Sequence, residues 1–391
     1  MDIDNNILYK IWLSRLCNHN PFKIQKLLDN LGSAREIYDM NLYSKSMIEK
    51  VGLKNVLAME RNLDGSEFFL DKCRKDGIHI ISIDSPEYPA ILKEIDCPPQ
   101  LLYTAGNIPN LNKILGIAVV GTRKCTDDGK KFTETLCHDL AESGAIIVSG
   151  MALGIDGAAH NGALSAGSST IAVLAGGVDR IYPPEHGNLY KQIKEHGGIL
   201  SERPPGMTGK GSFYNERNRI IIGLCRGVIV VEGTSKSGTS LSVKHAINSN
   251  RDVFAVPGNP HNPVAELPDN LIKDGAIPVT EALDIIGEYT DLYSEDLEYG
   301  ISLKGTSISG TYNNTSINFD IEEFISRNSF NYIQEQIIRC FTNPDETLHL
   351  DYIAEKTGFN AGQIGSNLVL LQMKKAVYQS AGGQYSINRD L

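Results

Sequence analysis

The sequence predicts an α/β protein built on an extended Rossmann-like, doubly wound and mostly parallel sheet. Between Leu115 and about Gly287, short apolar runs alternate with segments that can form helices. The runs are hydrophobic throughout, which is typical of strands buried on both faces, whereas half-exposed strands alternate apolar and polar residues. The six runs are GIAVV, AIIVS, TIAVLAG, GILS, GVIVVEG and DVFAVPG. Alternating strands and helices of this kind predict helices on both faces of the sheet.

Residues 1–62 predict a small module made only of helices. The run ILYKIWLSRL has apolar residues at helical spacing, and Asn20-Pro21 opens a second segment that ends near Leu31-Gly32. SAREIYDM and SKSMIEKVG predict two further short helices. The module is similar to sterile-alpha-motif-like (SAM-like) helical domains.

The predicted Rossmann-like domain covers residues 63–290, and its first part lies before the regular alternation. Residues 63–113 predict a helix over GSEFFLDKCRKDG, a strand over IHIISI, and then a Pro-rich connection through LLYTAG. Pro98-Pro99 excludes regular structure in that connection, because proline lacks the backbone N–H.

Two further segments are predicted after the sheet. Residues 291–320 are polar and rich in Ser, Thr, Asn and Gly, which predicts a flexible linker. Residues 321–391 predict three helices and a terminal hairpin turning at Gly-Gly, which is the pattern of a winged helix. Residues 331–391 carry five Lys or Arg against six Asp or Glu. A wing that reads DNA has a basic face, so we expect this domain to contact protein or to have an accessory role.

Composition limits the classes of function. The net charge of −10 means that any nucleic-acid site must be a local basic patch. No run approaches the ~18 apolar residues of a membrane span, and the first residues lack a signal pattern, which predicts a cytoplasmic protein. The seven cysteines contain no C-x-x-C, and the nine histidines have no metal-ligand spacing. We therefore expect neither a metal nor a cofactor.

The loops that follow the strands are the places where a parallel sheet binds ligands. Two of these loops, GTRKCTDDG and GMALGIDG, lead into helices, whose N-terminal N–H groups attract anions. GTSKSGTS follows GVIVVEG and offers hydroxyl and backbone groups. The candidate anion contacts in the three loops are Gly121, Thr122, Arg123, Ser149, Gly150, Lys236, Ser237 and Gly238.

A basic segment with an aromatic residue lies before the run GVIVVEG. Residues 200–226 contain five Lys or Arg and two Glu, a net charge of +3 in an acidic protein. Cations beside an aromatic ring are what backbone phosphates and a stacked base require. The candidates are Lys210, Phe213, Arg217, Asn218 and Arg219.

Catalytic motifs are not supported by the sequence. It has neither G-x-x-x-x-G-K-[ST] nor G-x-G-x-x-G, the motifs of nucleoside triphosphatases and of dinucleotide enzymes. Ser149, Asp156 and His160 lie close in sequence, but no G-x-S-x-G elbow is present. We interpret Asp156 as a helix cap and His160 as a packed residue.

Seven ordered motifs between about residues 80 and 280 resemble the DNA-processing protein A family (DprA, also called Smf). They are VVGTRKCTDDG, VSGMALGIDGAAHNGAL, TIAVLAGGVDRIYPPEHGNLY, LSERPPG, FYNERNRIIIGL, VIVVEGTSKSGTS and DVFAVPGNP. The resemblance implies a homodimer that binds single-stranded DNA and loads the RecA recombinase onto it, chiefly in natural transformation, without enzymatic activity.

The resemblance also implies roles for individual residues. Arg123 and the Ser149-Gly150 loop match the family's phosphate pocket, Lys210 a basic contact with DNA, and Phe213 a ring that stacks on a base. Arg217-Asn218-Arg219 matches the family's RNR signature. The sequence departs from the family where FYNE replaces the usual Phe-Pro before this signature, and where Leu153 stands at a position that is often Arg.

Two other functions remain open. One is a nucleotide hydrolase similar to the phosphoribohydrolases, which share a related Rossmann core. Those enzymes carry P-G-G-x-G-T-x-x-E, and here VEGTSKSGTSLS has no glutamate at that place. The other is a regulatory module that binds a free nucleotide.

Overall fold

A computed structural model describes most of the chain. The described residues are 2–40, 62–259, 261–289, 292–293, 321, 324–325, 330–341, 346–359, 361–374, 376–380 and 384–388. They divide into two compact units, residues 1–302 and residues 303–391. The helix expected over SKSMIEKVG and nearly all of the expected linker lie outside the described residues, and the predicted domain boundaries stay predictions.

Three helices open the first unit: α1 (Asp2–Leu16), α2 (Pro21–Leu31) and α3 (Ala34–Asp39). The side chain of Asn20 caps α2, and Ser33 with Glu36 forms a capping box at α3, so each start has the residues that satisfy free N–H groups. One side of α1 packs Trp12 and Leu13 against α2 and α3. The SAM-like assignment stays a prediction.

The centre of the unit is a mixed, mostly parallel sheet of nine strands. Its strands are β1 (His79–Ser82), β2 (Leu101–Gly106), β3 (Gly116–Val120), β4 (Ile146–Ser149), β5 (Thr170–Val173), β6 (Gly198–Ser201), β7 (Gly227–Val230), β8 (Asp252–Ala255) and β9 (Ile277–Pro278). Their order across the sheet is β1-β2-β6-β5-β4-β3-β7-β8-β9. Strands β3 to β9 are parallel, and β1 and β2 form an antiparallel edge beside β6.

Strand β2 corrects one prediction. Residues 101–106 lie in the segment that we expected to be an irregular Pro-rich connection, yet they pair with β1 on one side and β6 on the other. Pro98 and Pro99 lie before the start of β2, so the N–H groups that prolines lack are not needed for the hydrogen bonds between the strands. The preceding segment also contains a short 3₁₀ helix, Ala90–Glu94.

Helices cover both faces of the sheet, which confirms the doubly wound prediction. They are α4 (Asp64–Lys75), α5 (Asp127–Glu142), α6 (Ile155–Ser165), α7 (Gly187–His196), α8 (Phe213–Gly223), α9 (Gly238–Asn248), α10 (Glu266–Lys273) and α11 (Leu283–Ile286). Successive residues of β3 point to opposite faces. Ile117 and Val119 pack with α5 and α6, whereas Ala118 and Val120 pack with α8. Both faces are therefore apolar, as the continuous runs predicted.

The order of the strands reverses beside β3. From β3 the chain moves through β4 and β5 to β6 on one side, and then crosses over to β7 and β8 on the other. The loops that leave β3 and β7 diverge at such a point and open a crevice at the carboxyl ends of the strands.

The second unit contains helices α12 (Tyr332–Ile338), α13 (Leu350–Thr357) and α14 (Ala361–Met373). Strands β10 (Leu348–His349), β11 (Val377–Ser380) and β12 (Gln384–Ile387) form a small sheet, with β12 antiparallel to both others. The expected helices and paired strands are present, and the winged-helix assignment stays a prediction. Across the described parts of both units, no helix is long and apolar enough to cross a membrane.

Candidate nucleic-acid interface

A cavity of about 370 Å³ occupies the crevice beside β3, and we call it the switch-point cavity. It lies between the loop after β3, the start of α6, one face of α8 and the N-terminus of α9. The predicted site residues that line it are Gly121, Thr122, Arg123, Arg217, Asn218, Ser237 and Gly238. The fold thus collects residues from three separate predicted motifs around one space.

The loop after β3 is held in place by Glu232, which lies just after β7. The backbone N–H and hydroxyl of Thr126 both donate to the Glu232 carboxylate, and the backbone N–H of Thr122 donates to its carbonyl. Gly121 and Gly154 let this loop and the loop before α6 touch. A Cβ on Gly121 would lie 2.5 Å from Ile155, and Gly154 has a φ of +79°, which favours glycine.

Arg217 is a buried cation at the wall of the cavity. Its Nη1 donates to the carbonyls of Gly150 and Val173, each at 2.6 Å, and its Nε donates to Asn218. Burial lowers the pKa of Arg217, and the nearby Asp156 carboxylate opposes that shift. These contacts fix the guanidinium and leave one of its sides toward the cavity.

The charge of the lining favours an anion. Arg123, Lys124 and Arg217 contribute three positive charges, and Asp156 is the carboxylate among the lining residues. Burial raises the pKa of Asp156, while Arg217 and the N–H groups of the 150–152 loop favour its charged form. Ser237 precedes α9 without a side-chain hydrogen bond to the helix, so the first N–H groups of α9 face the cavity without a side-chain cap.

Aromatic rings border the cavity. The guanidinium of Arg123 lies 5.4 Å from the ring centroid of Tyr214, and the ring of Tyr182 lies 5.7 Å from that of Tyr214. Burial raises the pKa of Tyr214, and Tyr182 adds to the shift. The hydroxyl of Tyr214 is therefore neutral at physiological pH, and its ring offers a flat surface beside the cations.

Two predicted contacts are placed differently from the expectation. Ser149 is completely buried, and its hydroxyl donates to the carbonyl of Val119 at 2.7 Å, so it supports β4 rather than facing the cavity. Arg219 is also buried, and its guanidinium binds both oxygens of Glu202 at 2.6 Å and donates to the Cys97 carbonyl. Residues two positions apart on a helix point to nearly opposite sides, which separates Arg219 from Arg217.

The remaining predicted residues lie outside the lining of the switch-point cavity. Lys210 is exposed, with its Nζ 5.5 Å from the centroid of the half-buried Phe213 ring. Arg203 covers that ring at 4.1 Å. Lys236 is exposed beside Ser237, and Gly150 lines a neighbouring cavity.

Tyr214, Asp156 and Lys124 line the switch-point cavity but were not among the predicted contacts. A signal for Tyr214 exists in the sequence, since Tyr214, Arg217, Asn218 and Ile221 are spaced i, i+3, i+4 and i+7, which places them on one helix face. The predicted packing role of His160 is confirmed, because its fully buried ring meets the Thr170 hydroxyl at 2.8 Å.

Comparison with known proteins identifies relatives of the chain. The family model described as "DNA recombination-mediator protein A" matches residues 79–290. The chain is 42% identical over 215 residues to DNA processing protein DprA of Bacillus subtilis, covering 55% of this chain and 72% of the relative. It is 38% identical to protein Smf of Synechocystis sp., covering 68% of this chain and 65% of the relative.

Similarity to DprA of Streptococcus pneumoniae extends over most of that protein. The two sequences are 36% identical over 290 residues, covering 74% of this chain and 99% of the relative. The X-ray structure of that DprA matches with 35% identity and a TM-score of 0.60, again covering 74% of this chain and 99% of the other. The matched fold, the ordered motifs and the family model agree, and this chain belongs to the DNA recombination-mediator protein A (DprA/Smf) family.

Proposed function

We propose that this protein is a cytoplasmic, non-enzymatic recombination mediator that binds single-stranded DNA and loads RecA onto it, chiefly in natural transformation. Membership of the DprA/Smf family supports this role. The observation that carries the proposal is the switch-point cavity, whose lining holds three cations and one carboxylate beside the N-terminus of α9.

Such a cavity binds a phosphate without reading a base. Charged side chains and helix N–H groups recognise the phosphate group, which is the same in every nucleotide. Tyr214 beside Arg123 provides a stacking surface, and stacking tolerates any base. The combination favours a strand of arbitrary sequence, as a recombination mediator requires.

The same geometry favours single strands over duplex DNA. A base reaches Tyr214 or Phe213 only when it is unpaired and free to leave the stack. Lys210 and Lys236 are exposed at the sides of the site, where they attract the backbone on either side of the bound phosphate. Ser149 and Arg219 act in this proposal by supporting the strands and helix that carry the contacts.

The carboxylates near the cavity are engaged by other groups, which supports a binding role over hydrolysis. Glu232 accepts two hydrogen bonds from Thr126, and Asp156 lies between Arg217 and backbone N–H groups. A hydrolase needs a carboxylate that is free to accept a proton from the attacking water. Release of free base from a nucleotide would instead favour the hydrolase alternative.

The homodimer and the C-terminal unit complete the proposal. Two protomers on one strand would gain avidity, because the second binding event becomes intramolecular. Residues 331–391 have a net charge of −1, so we assign this unit to protein contacts rather than to DNA. Sedimentation with and without an oligonucleotide tests the dimer, and the rate of RecA filament growth on single strands tests loading.

The decisive experiment measures fluorescence anisotropy with single-stranded and duplex oligonucleotides across a range of salt. We expect tighter binding of single strands and a slope of roughly −0.7 per phosphate contact in log K against log salt. Arg123→Ala and Lys210→Ala should each make the slope shallower. Lys72→Ala removes an exposed charge on α4, outside both cavities, and serves as the control. Equal affinity for duplex DNA, or unchanged slopes in both variants, would refute the proposal.

A further inference from the structure

A second cavity of about 410 Å³ lies next to the switch-point cavity, at the carboxyl end of β5, and we call it the tyrosine cavity. Tyr214 and Arg217 line both cavities, so the two spaces meet at a shared wall. The tyrosine cavity is lined mainly by the segment after β5, residues 174–182, which has no role so far in binding.

Hydrogen bonds from the backbone and from side chains hold this segment in place. The N–H of Gly177 donates to the Met207 carbonyl at 2.8 Å, and the N–H of Gly206 donates to Asp179 at 2.8 Å. The hydroxyl of Tyr190 donates to the Val178 carbonyl at 2.7 Å. The cavity is therefore built from two loops joined by hydrogen bonds.

The chemistry of the tyrosine cavity differs from that of its neighbour. Tyr182 is 54% exposed, and its ring is tilted by 53° against that of Tyr214. Arg180 lies at the rim with Asp179, whose carboxylate is 3.6 Å from the Arg180 guanidinium, so this pair contributes no net charge. Arg217 on the shared wall is therefore the one unbalanced charge of this lining, compared with two in the switch-point cavity, and the exposed ring of Tyr182 suits the flat face of a base.

We propose that the tyrosine cavity receives the base of the next nucleotide along the strand, the one that adjoins the nucleotide held in the switch-point cavity, with that base stacked on Tyr182. The inference rests on the proposed function and deepens it, because each protomer then binds at least a dinucleotide. The shared wall of Tyr214 and Arg217 supports this inference, because a nucleotide on one side of these side chains and the base of the next nucleotide on the other are joined by a single phosphodiester link. Specificity for a particular base is not expected, since the ring stacks on any base.

The test compares thymidine 5′-monophosphate with the 5′-phosphorylated thymidine dinucleotide, each as a competitor of a labelled oligothymidylate. In the wild type we expect the dinucleotide to bind more tightly. Tyr182→Ala should weaken the dinucleotide by about five- to a hundred-fold and change the mononucleotide by less than about twofold. Tyr182→Phe keeps the ring and should bind like the wild type. Phe68→Ala, which removes an exposed ring of α4 outside both cavities, is the matched control.

A measurement on the unmodified protein makes the result independent of the variants. A dinucleotide whose second residue lacks its base should bind no better than the mononucleotide. Equal losses for both competitors in Tyr182→Ala, or full affinity for the abasic dinucleotide, would overturn the tyrosine cavity as a base site while the proposed function stands. Failure of the wild type to bind the labelled oligothymidylate at all would refute the proposed function itself.

Discussion

Arg203 links the N-terminal helices to the helix that carries the candidate site, and its replacement by methionine should weaken both stability and binding. The residue follows β6 and is 4% exposed. Its guanidinium donates to the carbonyl of His19 after α1 and to the carboxylate of Glu216 in α8, and it covers the Phe213 ring. Arg203 lines neither cavity, so we expect the loss of DNA affinity in Arg203→Met to act through the position of α8 and of the Phe213 ring that Arg203 covers.

The magnitude follows from the burial of the pair. The Arg203 and Glu216 side chains are 5% and 16% exposed, so removing the cation leaves a carboxylate in a poorly hydrated site. Such a loss costs about 3–5 kcal/mol of unfolding free energy. Glu216→Gln keeps hydrogen-bonding capacity and should cost less, about 1.5–3 kcal/mol. The double variant should lose less unfolding free energy than the two single variants lose together, because it leaves neither charge buried without its partner.

Urea denaturation measures these changes, with fluorescence of Trp12 as the probe. Trp12 is the only tryptophan of the chain and is buried in α1, within the helices that Arg203 contacts through His19. The same proteins are then titrated with the labelled single strand. If Arg203→Met unfolds within about 0.5 kcal/mol of the wild type, or if the costs of the two single variants simply add, the inferred link is wrong.

Three further predictions test the site and the core. A Cβ on Gly150 would collide with the Arg217 guanidinium, so Gly150→Ala should weaken single-strand binding by about tenfold. A Cβ on Gly187 would meet no neighbouring atom, so Gly187→Ala is the control and should leave binding unchanged. Burial lowers the pKa of His160 to about 3, so the unfolded state takes up the proton first as pH falls. Unfolding free energy should therefore drop below pH 6.5 by up to about 1.4 kcal/mol per pH unit. The drop should be smaller in His160→Gln, and identical pH profiles for this variant and the wild type would contradict the prediction. Cys125 is half-buried in the loop after β3 and the other cysteines are buried, so a thiol reagent should modify Cys125 first, and an oligonucleotide should slow that reaction.

The sheet was predictable because its signal is local. A strand of four or five mainly apolar residues buried on both faces needs no knowledge of its neighbours to be identified, and β3 to β7 are buried along their whole length. Strand β2 was missed because the prolines before it dominate the local signal. Only pairing with β1 and β6 reveals that residues 101–106 are extended.

The site was predictable in part, for a related reason. In a parallel sheet the loops after the strands gather at one edge whatever their distance along the chain, so the strand pattern alone predicts that Arg123 and Ser237 lie together. Helical periodicity could have placed Tyr214 with Arg217. It could not have shown that the guanidinium of Arg217 is held by Gly150 and Val173, since those carbonyls come from other strands.

The sequence by itself determined the doubly wound class, the edge of the sheet at which the candidate site lies and the residue types available there, because strand burial and helix periodicity follow from the local spacing of apolar residues. The tertiary structure alone decided which of the cations are free. Arg123 remains exposed, Arg217 becomes part of a wall, and Arg219 and Arg203 are held by Glu202 and Glu216. The physical reason is that a charge buried on folding must find a partner, and that partner comes from elsewhere in the chain.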